Sequence, residues 1–234
     1  MAKLKVMCAR SMHVAVGALG KAFAAASGHE VAFDFGTVGA LQAKLDQGEA
    51  ADVVILSGPA LDKLEKAGKL VPGTRKDVAK TFIALCIRAG ASKPEFSTVD
   101  AFKRLLEGAK AIATSDPAVG GSAGVHLAKA FEQAGLAAMM APKSLPQQTG
   151  AEVARRVVEG KAEFGLTLSG EVASVEGAVI AGALPPPFGQ DTTYVAAVTA
   201  GSAAKTEAAD FIAALTRPQT RETWTKAGFE PPSG

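Results

Sequence analysis

Three apolar strands near the start of the chain each lead directly into a helix, and this repeat is the feature that most restricts the fold. The strands show period-two alternation or short continuous apolar runs, and the helices are longer segments that end at glycine or just before it. Strands that alternate with helices without long linkers predict an open α/β sheet. The predicted strands are Leu4–Ala9, Glu30–Phe35 and Val53–Leu56, and the helices after them are Met12–Ser27, Ala40–Gln47 and Ala60–Ala67.

The turns between these strands and helices place unbonded helix N–H groups at the carboxyl edge of the sheet, where open α/β sheets bind ligands. Ser11, Thr37 and Ser57 fall at this edge. Arg10 adds a positive charge whose planar fork matches a carboxylate. A plainer interpretation stays open, in which Ser11 only caps its helix and Arg10 faces solvent, because caps are more common than ligand sites.

The same alternation of strand and helix begins again in the second part of the chain. The loop Ser115–Gly124 is rich in small residues, which let backbone N–H groups approach a bound anion closely. Met139–Gly150 is predicted to be a connector before another helix start. Leu184–Phe188 is predicted to be an extended crossover, because its three prolines remove donors and fix φ. Further strands are predicted at Thr81–Arg88, Lys110–Thr114, Glu163–Leu168 and Asp191–Val198, and further helices at Val99–Glu107, Val125–Ala134, Ala151–Glu159, Ala203–Leu215 and Pro218–Ala227.

Composition excludes several classes of function. The net charge is +2, the basic residues are scattered, and only 6% of residues are aromatic, which argues against nucleic-acid binding. Cys8 and Cys86 lie in apolar runs without a zinc-ligand pattern, so two buried, reduced thiols are expected, with no metal and no cofactor. No run approaches the ~20 apolar residues of a membrane span, so membrane insertion is not expected.

The location of the protein depends on how its first residues are interpreted. Met1-Ala2-Lys3 runs straight into the first strand and leaves no room for a secretory signal. The chain as written is therefore expected to be cytoplasmic, and periplasmic if it is a trimmed mature form. A monomer is expected in either case.

The order of elements and several local motifs resemble the molybdate-binding protein family (ModA type). The likeness covers nearly the whole chain, and the order and spacing of the motifs carry it. The motifs are Ala9-Arg10-Ser11, Phe35-Gly36-Thr37-Val38-Gly39-Ala40-Leu41, Ala51-Asp52-Val53-Val54-Ile55, Ser115-Asp116-Pro117 with Ala123-Gly124, and Arg217-Pro218-Gln219 through Ala227-Gly228-Phe229.

This resemblance implies a type II periplasmic-binding-protein-like α/β fold with two lobes. Each lobe would hold an open, mostly parallel sheet flanked by helices, and a small anion would bind in the cleft between the lobes. Residues 1–81 with 192–234 would form lobe I, and residues 82–191 would form lobe II. The chain would cross between the lobes near Thr81 and near Gln190–Thr192.

The resemblance also implies which residues hold the anion. Hydroxyl and backbone N–H donors would come from Ser11, from the turn Thr37-Val38, from the loop around Ala123 that includes Ser122, and from Val153. A fifth contact in the family is a tyrosine, which corresponds here to Leu168.

This sequence departs from the family pattern in a way that affects the ligand. Val38 stands where the family has a serine, and Leu168 stands where it has the tyrosine, so two hydroxyl donors are missing. Arg10 stands where the family has a small apolar residue. A fixed guanidinium suits planar carboxylates better than a tetrahedral oxyanion, so an organic di- or tricarboxylate is expected rather than molybdate.

Two functions remain open from the sequence. The first is a solute receptor that closes over a small anion, with an ABC transporter permease as its partner if the chain is exported. The second is a cytoplasmic isomerase that moves a proton on an unsaturated carboxylate, since aconitate isomerase also resembles this family. His13 and His126, each in the first turn of a helix, are the candidate catalytic bases, and Glu152 is a further one. A packing or surface role for both histidines stays open. A purely structural protein would not need several polar turns along one sheet edge.

Overall fold

The computed structural model describes residues 1–231, which form two compact units. The first unit takes Met1–Thr81 and the chain from Thr192 onward, and the second takes Phe82–Asp191. Residues 232–234, which the prediction assigns to lobe I, lie outside the described residues. None of the helices within residues 1–231 has the length and apolar character needed to cross a lipid bilayer.

Strands and helices alternate along much of the chain. The strands are β1 Lys3–Ala9, β2 Glu30–Gly36, β3 Val53–Ser57, β4 Lys76–Arg88, β5 Ile112–Ser115, β6 Ser144–Gln147, β7 Phe164–Leu168, β8 Ala178–Ala183 and β9 Asp191–Val198. The α-helices are α1 His13–Ser27, α2 Val38–Asp46, α3 Gly58–Lys66, α4 Val99–Gly108, α5 Ser122–Gln133, α6 Ala137–Met140, α7 Gly150–Val158, α8 Ser169–Ala173, α9 Lys205–Leu215 and α10 Arg221–Lys226. Short 3-10 helices lie at Arg10–Met12, Pro117–Val119 and Pro218–Thr220.

The sheet of the first unit runs in the order β2-β1-β3-β9. The first three strands are parallel, and β9 is antiparallel to β3. Both faces are covered by apolar side chains, with α1, α9 and α10 on one face and α2 and α3 on the other. Burial on both faces explains why Val53–Leu56 is a continuous apolar run rather than an alternating one.

The sheet of the second unit runs in the order β8-β4-β7-β5-β6. Strands β7, β5 and β6 are parallel, while β4 is antiparallel to both β7 and β8. Helices α4 and α5 pack on one face, and α7 and α8 pack on the other. Each unit therefore has a parallel centre extended by antiparallel strands.

Three segments of the second unit differ from the sequence-based prediction. The predicted connector Met139–Gly150 contains the short strand β6, which lies at the sheet edge. Pro146 has no backbone N–H to donate, and at an edge strand this missing donor costs little. Strand β8 was not predicted: its six residues are apolar, but the run is short, is dominated by Ala and Gly, and has only one buried residue. Residues 186–188 form a turn rather than an extended crossover.

Burial of Phe188 accounts for that turn. Its ring is fully buried and packs against Phe102 and Phe131, with ring centroids 5.0 and 5.5 Å away. The backbone N–H groups of Phe188 and Gly189 both donate to the carbonyl oxygen of Pro185. Burial of the Phe188 ring therefore stabilises a turn in a segment whose prolines alone would favour an extended conformation.

Both cysteines are free and buried. Burial raises the pKa of the Cys8 thiol far above its usual range. Burial also raises the pKa of Cys86 to about 12, although a hydrogen bond with the Val179 backbone partly opposes it. Both thiols are therefore neutral and unreactive packing groups at physiological pH.

Candidate functional site

The carboxyl ends of β1, β2 and β3 and the amino end of β9 meet at one edge of the first unit, which we name the first edge. Strand β9 reaches this edge with its first residues because it runs antiparallel to β3. The register pairs Tyr194 with Ser57, so the two side chains stand opposite each other on the same face of the sheet. The first edge thus collects residues from four separate parts of the chain.

Arg10, His13 and Phe35 form a small cluster at the first edge. The Arg10 side chain is exposed, and its Nη2 donates to the carbonyl oxygen of Phe35 at 3.4 Å. The His13 Nδ1 lies 3.0 Å from the carbonyl oxygen of Arg10, and the imidazole meets the Phe35 ring edge-on at 6.2 Å between centroids. Since a carbonyl oxygen only accepts, Nδ1 carries the hydrogen in this bond and Nε2 keeps the lone pair in the neutral ring.

Ser11 does not cap a helix. Its hydroxyl lies 2.9 Å from the phenolic oxygen of Tyr194, and both residues are buried. Helix α1 begins at His13 without a side-chain cap. The N–H of His13 donates to the carbonyl oxygen of Arg10, so the helical segment at this turn begins with the 3-10 helix Arg10–Met12, which has no side-chain cap. A helix start without a side-chain cap is the state expected of one that binds an anion.

The other two helix starts at the first edge differ from each other. Thr37 caps α2, where its hydroxyl accepts from the N–H of Ala40 at 3.2 Å. Val38, the first residue of α2, is half-buried and packs against both apolar clusters of the unit. Ser57 precedes α3, and its half-buried side chain makes no capping bond there. The hydroxyls of Ser11 and Thr37, which were predicted to hold an anion, therefore make hydrogen bonds within the first unit.

In the second unit, the carboxyl ends of β5, β6 and β7 form a comparable edge, which we name the second edge. Helix α5 begins there at Ser122 without a side-chain cap. Ser122 is half-buried and Ala123 is buried. A Cβ added at Gly124 would lie 2.7 Å from the carbonyl oxygen of Ser115, so the absence of a side chain lets α5 approach the β5 loop closely.

Helix α7 begins at the second edge with a complete capping box. The Thr149 hydroxyl accepts from the N–H of Glu152 at 3.2 Å, and the Glu152 carboxylate accepts from the N–H of Thr149 at 3.0 Å. The N–H of Val153 donates to the carbonyl oxygen of Thr149, and its side chain is fully buried. The Val153 N–H and the Glu152 carboxylate therefore both bond to Thr149 at the start of this helix. Val153 is the fourth residue of α7 rather than its first.

Leu168 and His126 are the remaining predicted site residues in the second unit. Leu168 ends β7 and is buried in the apolar cluster on the α5 face. The His126 Nε2 donates to the carbonyl oxygen of Pro187 at 3.0 Å, so its other ring nitrogen, Nδ1, keeps the lone pair in the neutral form. On the opposite face of the sheet, the hydroxyls of Ser115 and Thr167 lie 3.1 Å apart.

Tyr194 is the residue of the first edge that the sequence analysis did not identify. The predicted site residues of the first edge follow strands, whereas Tyr194 lies near the start of one. The chain contains a single tyrosine, which stands at the boundary between the polar start of β9 and its apolar remainder, Val195–Val198, and that position was the available signal. Across the described residues, no three His, Cys, Asp or Glu side chains are grouped so that they could hold a metal ion.

Comparison with known proteins places the chain among solute-binding proteins. The model of the family "Bacterial extracellular solute-binding protein" matches residues 4–230. The chain is also 36% identical over 167 residues to an aconitate isomerase of Pseudomonas sp. That stretch covers 70% of this chain and 61% of the isomerase, so the chain matches less than two thirds of that relative's length.

Solved structures share the fold over the whole chain. The substrate-binding domain of a putative molybdenum ABC transporter from Clostridium difficile has a TM-score of 0.77 at 19% identity, with 100% of both chains covered. The periplasmic molybdate-binding protein of Azotobacter vinelandii has a TM-score of 0.75 at 22% identity, with 98% of this chain and 100% of that chain covered. The predicted type II periplasmic-binding fold is confirmed, and the chain belongs to the bacterial extracellular solute-binding protein family.

Proposed function

We propose that this solute-binding protein takes a small organic di- or tricarboxylate at the first edge, in preference to molybdate. The observation that carries this proposal is the placement of the Arg10 guanidinium at the ends of β1 and β2, where it donates to the carbonyl oxygen of Phe35. The same edge holds the 3-10 helix Arg10–Met12, which leads into α1 and has no side-chain cap. A planar guanidinium is well matched to a carboxylate, which accepts two parallel hydrogen bonds from it.

The choice between carboxylate and tetrahedral oxyanion also follows from what the two edges lack. Val38 and Leu168 supply no hydroxyl at positions where the molybdate-binding family has donors. Both side chains instead pack in apolar clusters. A tetrahedral dianion needs hydrogen-bond donors on all sides. The loss of two hydroxyls therefore weakens the binding of such a dianion more than the binding of a planar carboxylate, which one guanidinium can hold.

Calorimetric titration of the full chain with trans-aconitate, citrate and molybdate tests this proposal. We expect either tricarboxylate to bind at least tenfold more tightly than molybdate. Sub-micromolar binding of molybdate without binding of the tricarboxylates would overturn it. Sulfate is a useful control, because it is also a tetrahedral dianion. One structural neighbour of this chain is the sulfate-binding protein of Mycobacterium tuberculosis.

A second function, isomerisation of an unsaturated tricarboxylate, is favoured by one specific observation, the 36% identity to an aconitate isomerase. The His13 Nε2 would take a proton from the methylene carbon of the substrate and become imidazolium. The electron pair would delocalise over the adjacent double bond and carboxylate. The proton would then return to the far carbon of the former double bond, which shifts the double bond and regenerates neutral His13.

His13 is better placed than His126 for this role. It lies three residues from Arg10 and bonds to the Arg10 backbone, so a carboxylate held by the guanidinium would bring a neighbouring carbon close to Nε2. Proton NMR of trans-aconitate incubated with the protein in D2O separates the two functions. Deuterium incorporation with appearance of the cis isomer indicates an isomerase, and tight binding without exchange indicates a receptor.

The partner and location follow from which function holds. One structural neighbour is the substrate-binding domain of a putative ABC transporter, and we propose a permease of that class as the partner if the chain is exported. A receptor would then act in the periplasm as a monomer, whereas an isomerase could act in the cytoplasm. Fractionation of cells that express the full-length gene distinguishes the two locations.

A further inference from the structure

We propose that a cavity in the second unit binds a small, neutral aromatic molecule that carries one hydroxyl group, of which phenol is the simplest example. The cavity lies between strands β5 and β6 and helices α5 and α6, and its volume is about 240 Å³. Among the described residues that line it, none is charged. Binding there does not depend on the anion that is proposed for the first edge.

Thr114 supplies the polar group of this cavity. It is the third residue of β5, and only 8% of it is exposed. Side chains alternate along a strand, so Thr114 points to the same face as Ile112, which packs in the apolar cluster of α4 and α5. The cavity lies on that face, and Thr114 lines it. Within residues 1–231, no side chain or backbone group makes a hydrogen bond with the Thr114 hydroxyl.

The next residue of β5 shows how such a hydroxyl is usually accommodated. Ser115 points to the opposite face of the sheet, where its hydroxyl lies 3.1 Å from that of Thr167. Buried hydroxyls in proteins are normally bonded in this way, because a buried polar group without a partner costs free energy. A hydroxyl can donate one hydrogen bond and accept others. The Thr114 hydroxyl can therefore bond to a ligand hydroxyl in either direction.

The walls of the cavity favour an aromatic ring. Leu127 and Phe131 of α5 and Met140 of α6 line it, and all three side chains are otherwise buried in the apolar core of the unit. Aromatic rings pack favourably edge-to-face on phenylalanine, and the sulfur of methionine makes favourable contacts with them. A ring in this cavity would therefore gain specific contacts besides the burial of its apolar surface.

The size and charge of the cavity restrict the ligand further. A volume of about 240 Å³ is smaller than the roughly 300 to 1,000 Å³ of pockets that take drug-sized ligands, so it suits a single ring. An ionised group would lose its hydration without a charged partner, so the ligand should be neutral. The exposed residues Ala128, Ala137 and Ala141 line the cavity, and their small side chains leave it open to solvent.

Methyl NMR of the methionines in the full chain tests this site. Met140 lines the cavity, whereas Met7 and Met12 are buried in the first unit and serve as internal controls. Phenol should shift the Met140 signal saturably, with a dissociation constant at or below about 1 mM, and leave the two controls unchanged. No saturable shift up to ten times that concentration, or equal shifts of all three signals, would overturn the proposal.

Thr114→Val tests the role of the hydroxyl, because valine has nearly the same shape as threonine. We expect this variant to bind phenol about tenfold more weakly than wild type, and to bind toluene, which lacks the hydroxyl, within about twofold of wild type. Thr114→Ser keeps the hydroxyl and should bind phenol within about threefold of wild type. Equal affinity of wild type and Thr114→Val for phenol would show that the hydroxyl does not hold the ligand.

Two further measurements check the location and the unbonded state of this hydroxyl. Ala128→Phe places a large side chain at an exposed position of the cavity and should weaken phenol and toluene alike by at least tenfold. The melting temperature of Thr114→Val should equal or exceed that of wild type, since no protein hydrogen bond is lost. Unchanged binding in Ala128→Phe, or a clear fall in the melting temperature of Thr114→Val, would contradict the proposed site.

Discussion

The guanidinium of Arg10 and the backbone carbonyl of Phe35 are joined by a hydrogen bond of 3.4 Å. The bond links the residue that follows β1 to the end of β2, and it uses one of the five N–H donors of the guanidinium. Phe35 also meets the His13 ring edge-on. One residue of an edge strand thus contacts both the cation and the imidazole on which the proposed functions depend.

Removal of the Arg10 guanidinium should weaken a bound carboxylate. If the bound ligand covers and desolvates the exposed Arg10 guanidinium, we expect Arg10→Ala to reduce the binding free energy of trans-aconitate by about 2 to 4 kcal/mol, because the ligand's charge is left unpaired. Arg10→Lys should recover part of the loss, since an ammonium keeps the charge without the fork. Arg104→Ala, which removes an exposed arginine of α4, is the control, and calorimetry is the measurement. A negligible effect of Arg10→Ala would place its side chain outside the binding site.

Substitution of the two histidines distinguishes the candidate bases. If the protein is an isomerase, we expect His13→Asn to lower deuterium exchange into trans-aconitate by at least 100-fold, in the range by which general bases contribute to rate. His126→Asn should retain most of the exchange, because its Nε2 donates to the Pro187 carbonyl in the second unit. His29→Asn, which lies just beyond the opposite end of α1 from His13, is a further control. Loss of exchange in His126→Asn alone would instead make His126 the base.

Gly150 should not tolerate a side chain. A Cβ at this position would lie 2.2 Å from the Thr167 hydroxyl oxygen and 2.7 Å from Cγ of the buried Glu171. We expect Gly150→Ala to lower the free energy of unfolding by about 1 to 3 kcal/mol, since a well-packed region must shift. Gly121→Ala is the matched control, because a Cβ there meets no atom within 4 Å and φ is −73°. Denaturant titration measures both, and equal stability of the two variants would contradict the expected crowding at α7.

The buried thiol of Cys86 should make stability fall at alkaline pH. Its pKa is raised from 9.0 to about 12 by burial, so the unfolded chain loses this proton first as the pH rises. The contribution is complete below pH 9 and is lost between about pH 9 and 12. Between pH 8.5 and 10.5 we expect the free energy of unfolding of wild type to fall by about 2 kcal/mol more than that of Cys86→Ala. Parallel pH dependences of the two proteins would show that the thiol does not contribute.

Much of the fold could be predicted from local patterns. The first three strands and helices, the Thr37 cap and the small residues before α5 all have signatures within a few neighbouring residues, because strand pairing on two buried faces and helix capping are local requirements. Strands β6 and β8 could not be predicted in this way. Strand β6 has three polar or proline residues out of four, and β8 is a short run of mostly Ala and Gly with one buried residue. The strand conformation of both depends on the neighbours β5 and β4, which supply their hydrogen bonds.

The candidate site was predictable only in part. The turn after β1 and the presence of Arg10 and Ser11 in it follow from sequence, but the partners of these residues do not. Arg10 bonds to Phe35, 25 residues away, and Ser11 pairs with Tyr194, 183 residues away. The family resemblance implies that the Val153 N–H binds a ligand. In the structure this N–H instead donates to the carbonyl oxygen of Thr149.

The sequence by itself determined the α/β order and the polar strand-to-helix turns, and the resemblance to the molybdate-binding family implied that Val38 and Leu168 stand where that family has hydroxyl donors. The tertiary structure decided which of these helix starts lack a side-chain cap, which histidine bonds to the Arg10 backbone, and that a tyrosine from the last strand reaches the first turn. The physical reason is that hydrophobic periodicity acts along the chain, whereas a hydrogen-bond partner is chosen by strand order and direction. Antiparallel β9 brings its first residues to the edge where the parallel strands end, and no local pattern in the chain encodes that reversal.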